Sequence, residues 1–136
     1  MVVFISCVKK KQDCECRAED MYTSDLFKKS LQYAKQLNPR KIYILSALYG
    51  VLELDDVIAP YNVTLVTSTE KERREWAERV RHQLIGKGFD FNEETVFLCG
   101  QHYRKHLVKH FTHATAPLSS LGIGQQLAFY KENIKQ

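Results

Sequence analysis

The chain of 136 residues has one tryptophan, three prolines, six glycines and four cysteines. The few glycines and prolines build no internal repeat, low-complexity segment or interdomain linker, so one domain spanning residues 1–136 is expected. No apolar run approaches the roughly 18 residues of a membrane-spanning helix, and no membrane partner is expected. The opening Met1-Val2-Val3-Phe4-Ile5-Ser6 carries no basic leader and passes into lysine-rich sequence, so it reads as a strand and not as a signal peptide. A cytoplasmic location is the expectation, with Cys7, Cys14, Cys16 and Cys99 as reduced thiols. Cys14-Glu15-Cys16 lacks the spacing and the second pair of a zinc motif. No metal or other cofactor is called for.

Hydrophobic residues make up 44% of the chain, enough for a real core, and the charged fraction of 26% is ordinary for a soluble domain. The net charge of +4 favours a phosphate-bearing partner mildly and proves none.

Val2–Ser6, Ile42–Ser46 and Thr95–Cys99 are short apolar runs rich in β-branched and aromatic residues, the pattern of buried strands. Helices are expected after Ser24, a good N-cap, and after Thr69, which with Glu72 has capping-box form. The second helix would bury Trp76, Val80 and Leu84 and stop at Gly86. A helix from Gly100 carries Tyr103, Leu107 and Val108, a weak extended piece covers 113–118, and a last helix buries Ile123, Leu127, Tyr130 and Ile134. Residues 7–21 and 51–68 read as loops. Strands alternating with helices imply a mostly parallel sheet with helices on both faces, a three-layer α/β domain.

In such folds ligands collect outside the carboxyl ends of the strands. Ser46, Tyr49 and Gly50, which end the central run, are therefore the first candidates for the rim of a site. Ser46 has no histidine at a telling spacing, so it reads as a hydrogen-bonding residue and not a nucleophile. The Cys7-Val8-Lys9-Lys10-Lys11 stretch could meet a phosphate through its lysines or equally be a solvated run. Cys7 is either a nucleophile tuned by those lysines or, the favoured reading, a small buried hydrophobe. Asp55 and Asp56 could position a water or act as a base, although paired acids in a loop more often form turns. Gly122 and Gly124 open the last helix, where amides bind anions, and Gln125 and Gln126 can read a nucleobase edge. The alternative there is a tight helix-packing corner. His102, His106 and His110 recur every fourth residue without an obvious carboxylate, so a basic helix face is favoured over a metal site.

Five blocks, Cys7–Lys11, Tyr22–Phe27, Leu45–Leu52, Val57–Leu65 and Leu121–Gln126, together resemble domain-of-unknown-function family 6884, bacterial and phage proteins similar to the YaaA group and to the uracil-DNA-glycosylase-like fold. The resemblance implies a three-layer sandwich around a mostly parallel four-stranded sheet with a pocket at the strands' carboxyl ends. It carries pocket roles onto Cys7, Lys9, Lys11, Tyr22, Ser24, Ser46, Tyr49, Gly50, Pro60, Tyr61, Gly122, Gly124, Gln125 and Gln126. Leu48-Tyr49 stands where the family often places a charged turn. The glycosylase water-activating loop would fall at Gln12-Asp13, and the late histidine loop at residues 113–119.

The expected function is an enzyme acting on a nucleobase, nucleotide or nucleic acid, cleaving or exchanging an N-glycosidic bond. Tyr49 or Tyr61 would stack on the base, Gln125 or Gln126 read its edge, Lys9 or Lys11 hold phosphate, and Asp55 or Asp56 position water. Lys11, Asp55 and Asp56 are then the catalytic candidates. A non-catalytic nucleotide or nucleic-acid binding module, acting as sensor or inhibitor, is the alternative. A protein-interaction domain docking through residues 102–110 is a third.

Overall fold

The computed structural model describes residues 1–135. Strands β1 (Val2–Ser6), β3 (Lys41–Ser46), β4 (Gly50–Glu53), β6 (Thr95–Leu98) and β7 (Ala114–Thr115) form one sheet in the order β4-β3-β1-β6-β7. β1 lies between β3 and β6, parallel to both, and β7 runs parallel to β6. Only β4 is antiparallel, folded back on β3. The sheet is thus mostly parallel but five-stranded and mixed, not four-stranded. The additional strand is β4, at one edge of the sheet, while β7 at the other edge falls within the extended piece expected over 113–118.

Helix α2 (Asp25–Gln36) joins β1 to β3, and Ser24 caps it as expected, its Oγ accepting from Phe27 N at 3.1 Å. Asn38 adopts a positive φ of 54° just before Pro39, which ends the helix. Helix α3 (Glu70–Gly86) carries the chain back across β1 to β6 and has both halves of the Thr69–Glu72 capping box. Because parallel crossovers are right-handed, a step from β1 to β3 and a step back to β6 place α2 and α3 on opposite faces. Helix α5 (Ile123–Asn133) returns to pack on α2. Trp76, Val80 and Leu84 are buried as expected. The helix stops at Gly86 as expected, and the left-handed residue beyond its cap is Gly88, at φ 73°, with Phe89 N reaching back to Leu84 O. No helix among the described residues is long and apolar enough to cross a membrane.

Four expectations need correction. Residues 7–21 are partly ordered into β2 (Cys16–Arg17) and the single helical turn α1 (Ala18–Met21). β2 pairs antiparallel with β5 (Val57–Ile58), and these two strands form a separate ribbon. Residues 51–68 likewise begin as strand β4, because Gly50, at φ 77°, turns the chain tightly enough to pair Ser46 with Gly50 itself. The helix after Gly100 is only α4 (Gln101–Arg104), followed by a 3-10 turn at Val108–His110. Finally, Ile123 is 67% exposed, whereas Tyr130 on the same helix is fully buried.

Candidate functional site

β1 and β3 end in register, Ser6 opposite Leu45, and Cys7 N donates to Leu45 O at 2.9 Å. The next residue of β3, Ser46, is completely buried. A buried hydroxyl needs partners, and Ser46 has two: it donates to Tyr61 Oη at 2.7 Å and accepts from Tyr49 N at 3.1 Å. Tyr61 Oη also lies 2.7 Å from Tyr22 Oη, and burial pushes both phenols up, so they stay protonated. Ser46 is thus a structural hydrogen-bonding residue at the head of a three-hydroxyl relay. Its own carbonyl accepts from Trp76 Nε1 at 2.9 Å, which ties α3 to the same point.

Lys11 reaches this relay because its loop doubles back. Gln12 N donates to Met21 O and Thr23 N to Lys10 O, closing a bridge between Lys11 and Tyr22. The Lys11 ammonium lies 4.5 Å from the Tyr61 ring centre and 5.9 Å from that of Tyr22, and donates to Lys9 O at 3.2 Å. Such ring contacts attract a cation. Burial nevertheless draws the Lys11 pKa below its ordinary value, the Cys7 sulfur opposing the shift. The Cys7 thiol is buried and donates to Tyr103 Oη at 3.2 Å, as expected of a small hydrophobe.

Two cavities open here. One, of about 290 Å³, is bounded by Lys11, Asn62, Thr64 and Thr67; the other, of about 300 Å³, by Leu26, Phe27, Gln126 and Tyr130. Cys7, Val8, Lys9, Val66 and Tyr103 line both, so the pair forms one cleft across the carboxyl end of β1. Each lobe is at the small end of ligand-pocket sizes, which run from about 300 to 1,000 Å³. Among the described residues no Asp, Glu or His lines either lobe.

Of the residues singled out in the sequence, Cys7, Lys9, Lys11 and Gln126 line the cleft, and Tyr22, Ser46 and Tyr61 form the relay beneath it. Tyr49 holds the segment that follows β5, its Oη donating to Ala59 O at 3.2 Å, and its ring meets that of Tyr61 edge-on. Pro60 is exposed next to it. Ser24 serves its helix cap, and Gly50 its turn. Gly122, Gly124 and Gln125 are exposed at the start of α5, where Gln125 Oε1 accepts from Gly122 N at 3.0 Å.

Asp55 and Asp56 fall elsewhere. They follow β4, which runs back along β3 from Gly50 opposite Ser46 to Glu53 opposite Tyr43, so they stand at the amino end of the sheet. Asp55 lines a separate hollow with Lys35, Arg40 and Lys41. Asp56 Oδ2 accepts from Glu53 N at 2.8 Å, a turn bond. The histidines do not form a ladder, because the helix breaks after Arg104. They also have carboxylates nearby, contrary to the sequence reading: His106 Nε2 is 2.7 Å from Glu70 Oε1 and His110 Nε2 is 3.8 Å from Glu78 Oε1. No metal-competent group of three ligands occurs among the described residues. Sequence reasoning missed Val8, Val66, Asn62, Thr64, Thr67, Tyr103 and Tyr130. Tyr103 alone carried a usable signal, since it follows the carboxyl end of β6.

The family of unknown function DUF6884 matches residues 2–132, and the chain belongs to it. No curated protein and no solved structure matches the chain.

Proposed function

We propose that this member of a family of unknown function is a nucleotide-directed protein whose ligand, free or within a nucleic acid, occupies the cleft over the end of β1. The observation that carries the reading is the place of Lys11: a cation set between two phenol rings on one side and a small, partly apolar cleft on the other. With Lys9 beside it, the ammonium suits a phosphate, and the aromatic and aliphatic lining suits a base. In this reading the resemblance implied by the five sequence blocks, to a family similar to the YaaA group and more loosely to the uracil-DNA-glycosylase-like fold, points to the same substrate class.

A binding module, sensor or inhibitor fits the lining best, since no acid or imidazole faces either lobe among the described residues. The enzymatic reading, cleavage of an N-glycosidic bond, is favoured by one observation. Lys11 places a cation in the cleft, where it could stabilise a base leaving with the electron pair of the broken bond while water adds to the sugar carbon. Titration calorimetry with the four ribonucleoside 5′-monophosphates and with short single-stranded DNA and RNA tests the first reading, and chromatography of the same mixtures for released base tests the second. Binding without base release establishes the module; binding with release establishes the enzyme. If none of these ligands binds, the nucleotide-directed reading fails.

A further inference from the structure

The two lobes of the cleft differ in chemistry. The lobe towards Asn62 and Thr67 holds the Lys11 ammonium and short hydroxyl or amide side chains. The lobe towards α5 is walled by Phe27, Tyr103 and Tyr130 with aliphatic neighbours, a lining for a flat ring. Its polar groups are few, and two of their hydrogen-bonding capacities are already taken. Ser30 donates its proton to Phe27 O at 2.8 Å, and Ser6 Oγ accepts from Gly100 N at 3.1 Å.

Gln126 is different. Its Nε2 donates to Leu121 O at 2.9 Å. A carbonyl can only accept, so the amide nitrogen must face Leu121, and the orientation of the side chain follows from that bond. Oε1 is then left as an acceptor with no hydrogen bond among the described residues. Gln125, the neighbouring candidate, is excluded from this role because its own Oε1 closes the helix cap on Gly122 N.

We infer that the cleft is a bipartite site in which the α5 lobe takes a heteroaromatic ring presenting an N–H donor to Gln126 Oε1, while an anion tethered to that ring binds Lys11 in the other lobe. The inference rests on the nucleotide-directed reading and deepens it. The waist shared by the lobes, Val8, Lys9 and Val66 among its residues, is where the linker between ring and anion would pass. Gln126 is thereby a specificity residue and Lys11 an anion anchor, and the two contributions separate.

Calorimetry with AMP, GMP, CMP and UMP and with the four matching nucleosides, on wild type, Gln126→Leu and Lys11→Met, tests this. In Gln126→Leu the affinity for the preferred base should fall about tenfold, and the order of preference among the four should flatten, with the gap between nucleotide and nucleoside intact. In Lys11→Met that gap should close and the order of bases persist. Gln126→Met, of similar length, repeats the first arm should the leucine variant melt early. If both variants weaken all eight ligands equally, or exchange their effects, the bipartite assignment is overturned while the nucleotide reading stands. If wild type binds none of the eight, the bipartite assignment falls, and the nucleotide reading falls with it when the single-stranded DNA and RNA fail to bind as well.

Discussion

The Ser46 hydroxyl donates to Tyr61 Oη at 2.7 Å, and this one bond joins the buried carboxyl end of β3 to the irregular segment that walls the cleft. Tyr61 Oη lies between Ser46 and Tyr22, so a half-buried phenol joins two fully buried hydroxyls. The relay holds Tyr61 rigid under the Lys11 ammonium, and that contact couples the fold to the anion half of the cleft.

Tyr61→Phe should therefore cost about 1–2 kcal/mol of stability, because Ser46 and Tyr22 each lose a buried partner. A Ser46→Ala, Tyr61→Phe double-mutant cycle followed by urea denaturation should show a coupling of about 1 kcal/mol. Additive effects would mean that the two hydroxyls act independently.

Lys11 makes a pH prediction. Its pKa in the folded chain lies below the ordinary 10.5, with burial as the main cause. Between the two values the unfolded chain holds a proton that the folded chain has released, so stability should rise with pH across that alkaline window. Lys11→Met should abolish this rise. A bound phosphate would pull the pKa back up, so binding in the same window should take up protons. Calorimetry in two buffers of different ionisation heat reads that uptake directly.

Arg40 and Glu93 make an acid-side prediction. Arg40 Nη2 lies 2.7 Å from Glu93 Oε1, and Arg40 Nε bonds both carboxylate oxygens at 3.0–3.1 Å. This pairing holds the Glu93 carboxyl down at about 2, against an ordinary 4.5. A depressed acid stabilises the fold above its unfolded pKa, and that stability is lost as pH falls from 4.5 towards 2. Arg40 is exposed and solvent screens the pair, so Glu93→Gln should cost only about 1 kcal/mol at neutral pH. The variant should also melt with a flatter acid profile than wild type, and matching profiles would show that the pair contributes nothing.

Gly50 is the tightest backbone position of the hairpin. It holds φ 77°, and a Cβ there would meet Gln83 Oε1 at 2.2 Å. Gln83 has no free rotamer to yield, since Oε1 accepts from Val51 N at 2.8 Å and Nε2 donates to Tyr49 O at 3.1 Å. Gly50→Ala combines a left-handed alanine with a broken clamp and should cost about 2 kcal/mol. A shift in the urea midpoint without a change in slope is the expected signature, and an unshifted midpoint would contradict it.

Much of this architecture was legible because local chemistry and burial agreed. Val2–Ser6, Ile42–Ser46 and Thr95–Leu98 are apolar on both faces, the mark of central parallel strands, and Ser24 and Thr69 announce their helices by capping. What was missed lies where tertiary pairing overrides composition. β4 exists because one positive-φ glycine reverses the chain, whereas β7 falls inside the extended piece expected over 113–118. The histidine spacing looked helical, but the chain after Arg104 leaves the helix and meets Glu70 and Glu78, which are distant in sequence. At the cleft, charged and aromatic residues such as Lys11 and Tyr61 could be picked by type. Val8 and Val66 could not, since an aliphatic residue has no chemistry to distinguish a cavity wall from core.

Asp55 and Asp56 give the sharpest contrast between residue type and place. Both are of the kind that positions water, yet both stand at the amino end of the sheet, with the cleft at the other. Asp56 supports the turn through Glu53 N, so Asp56→Ala should cost about 1 kcal/mol of stability. Asp55 is exposed, and Asp55→Asn should change stability by less than about 0.5 kcal/mol. Neither variant should alter mononucleotide affinity, or any base release, by more than about twofold, since sites so far apart with no shared partner act independently. A tenfold loss in either, with melting behaviour intact, would move the reacting end of the ligand to the opposite edge of the sheet and overturn the placement of the site over β1.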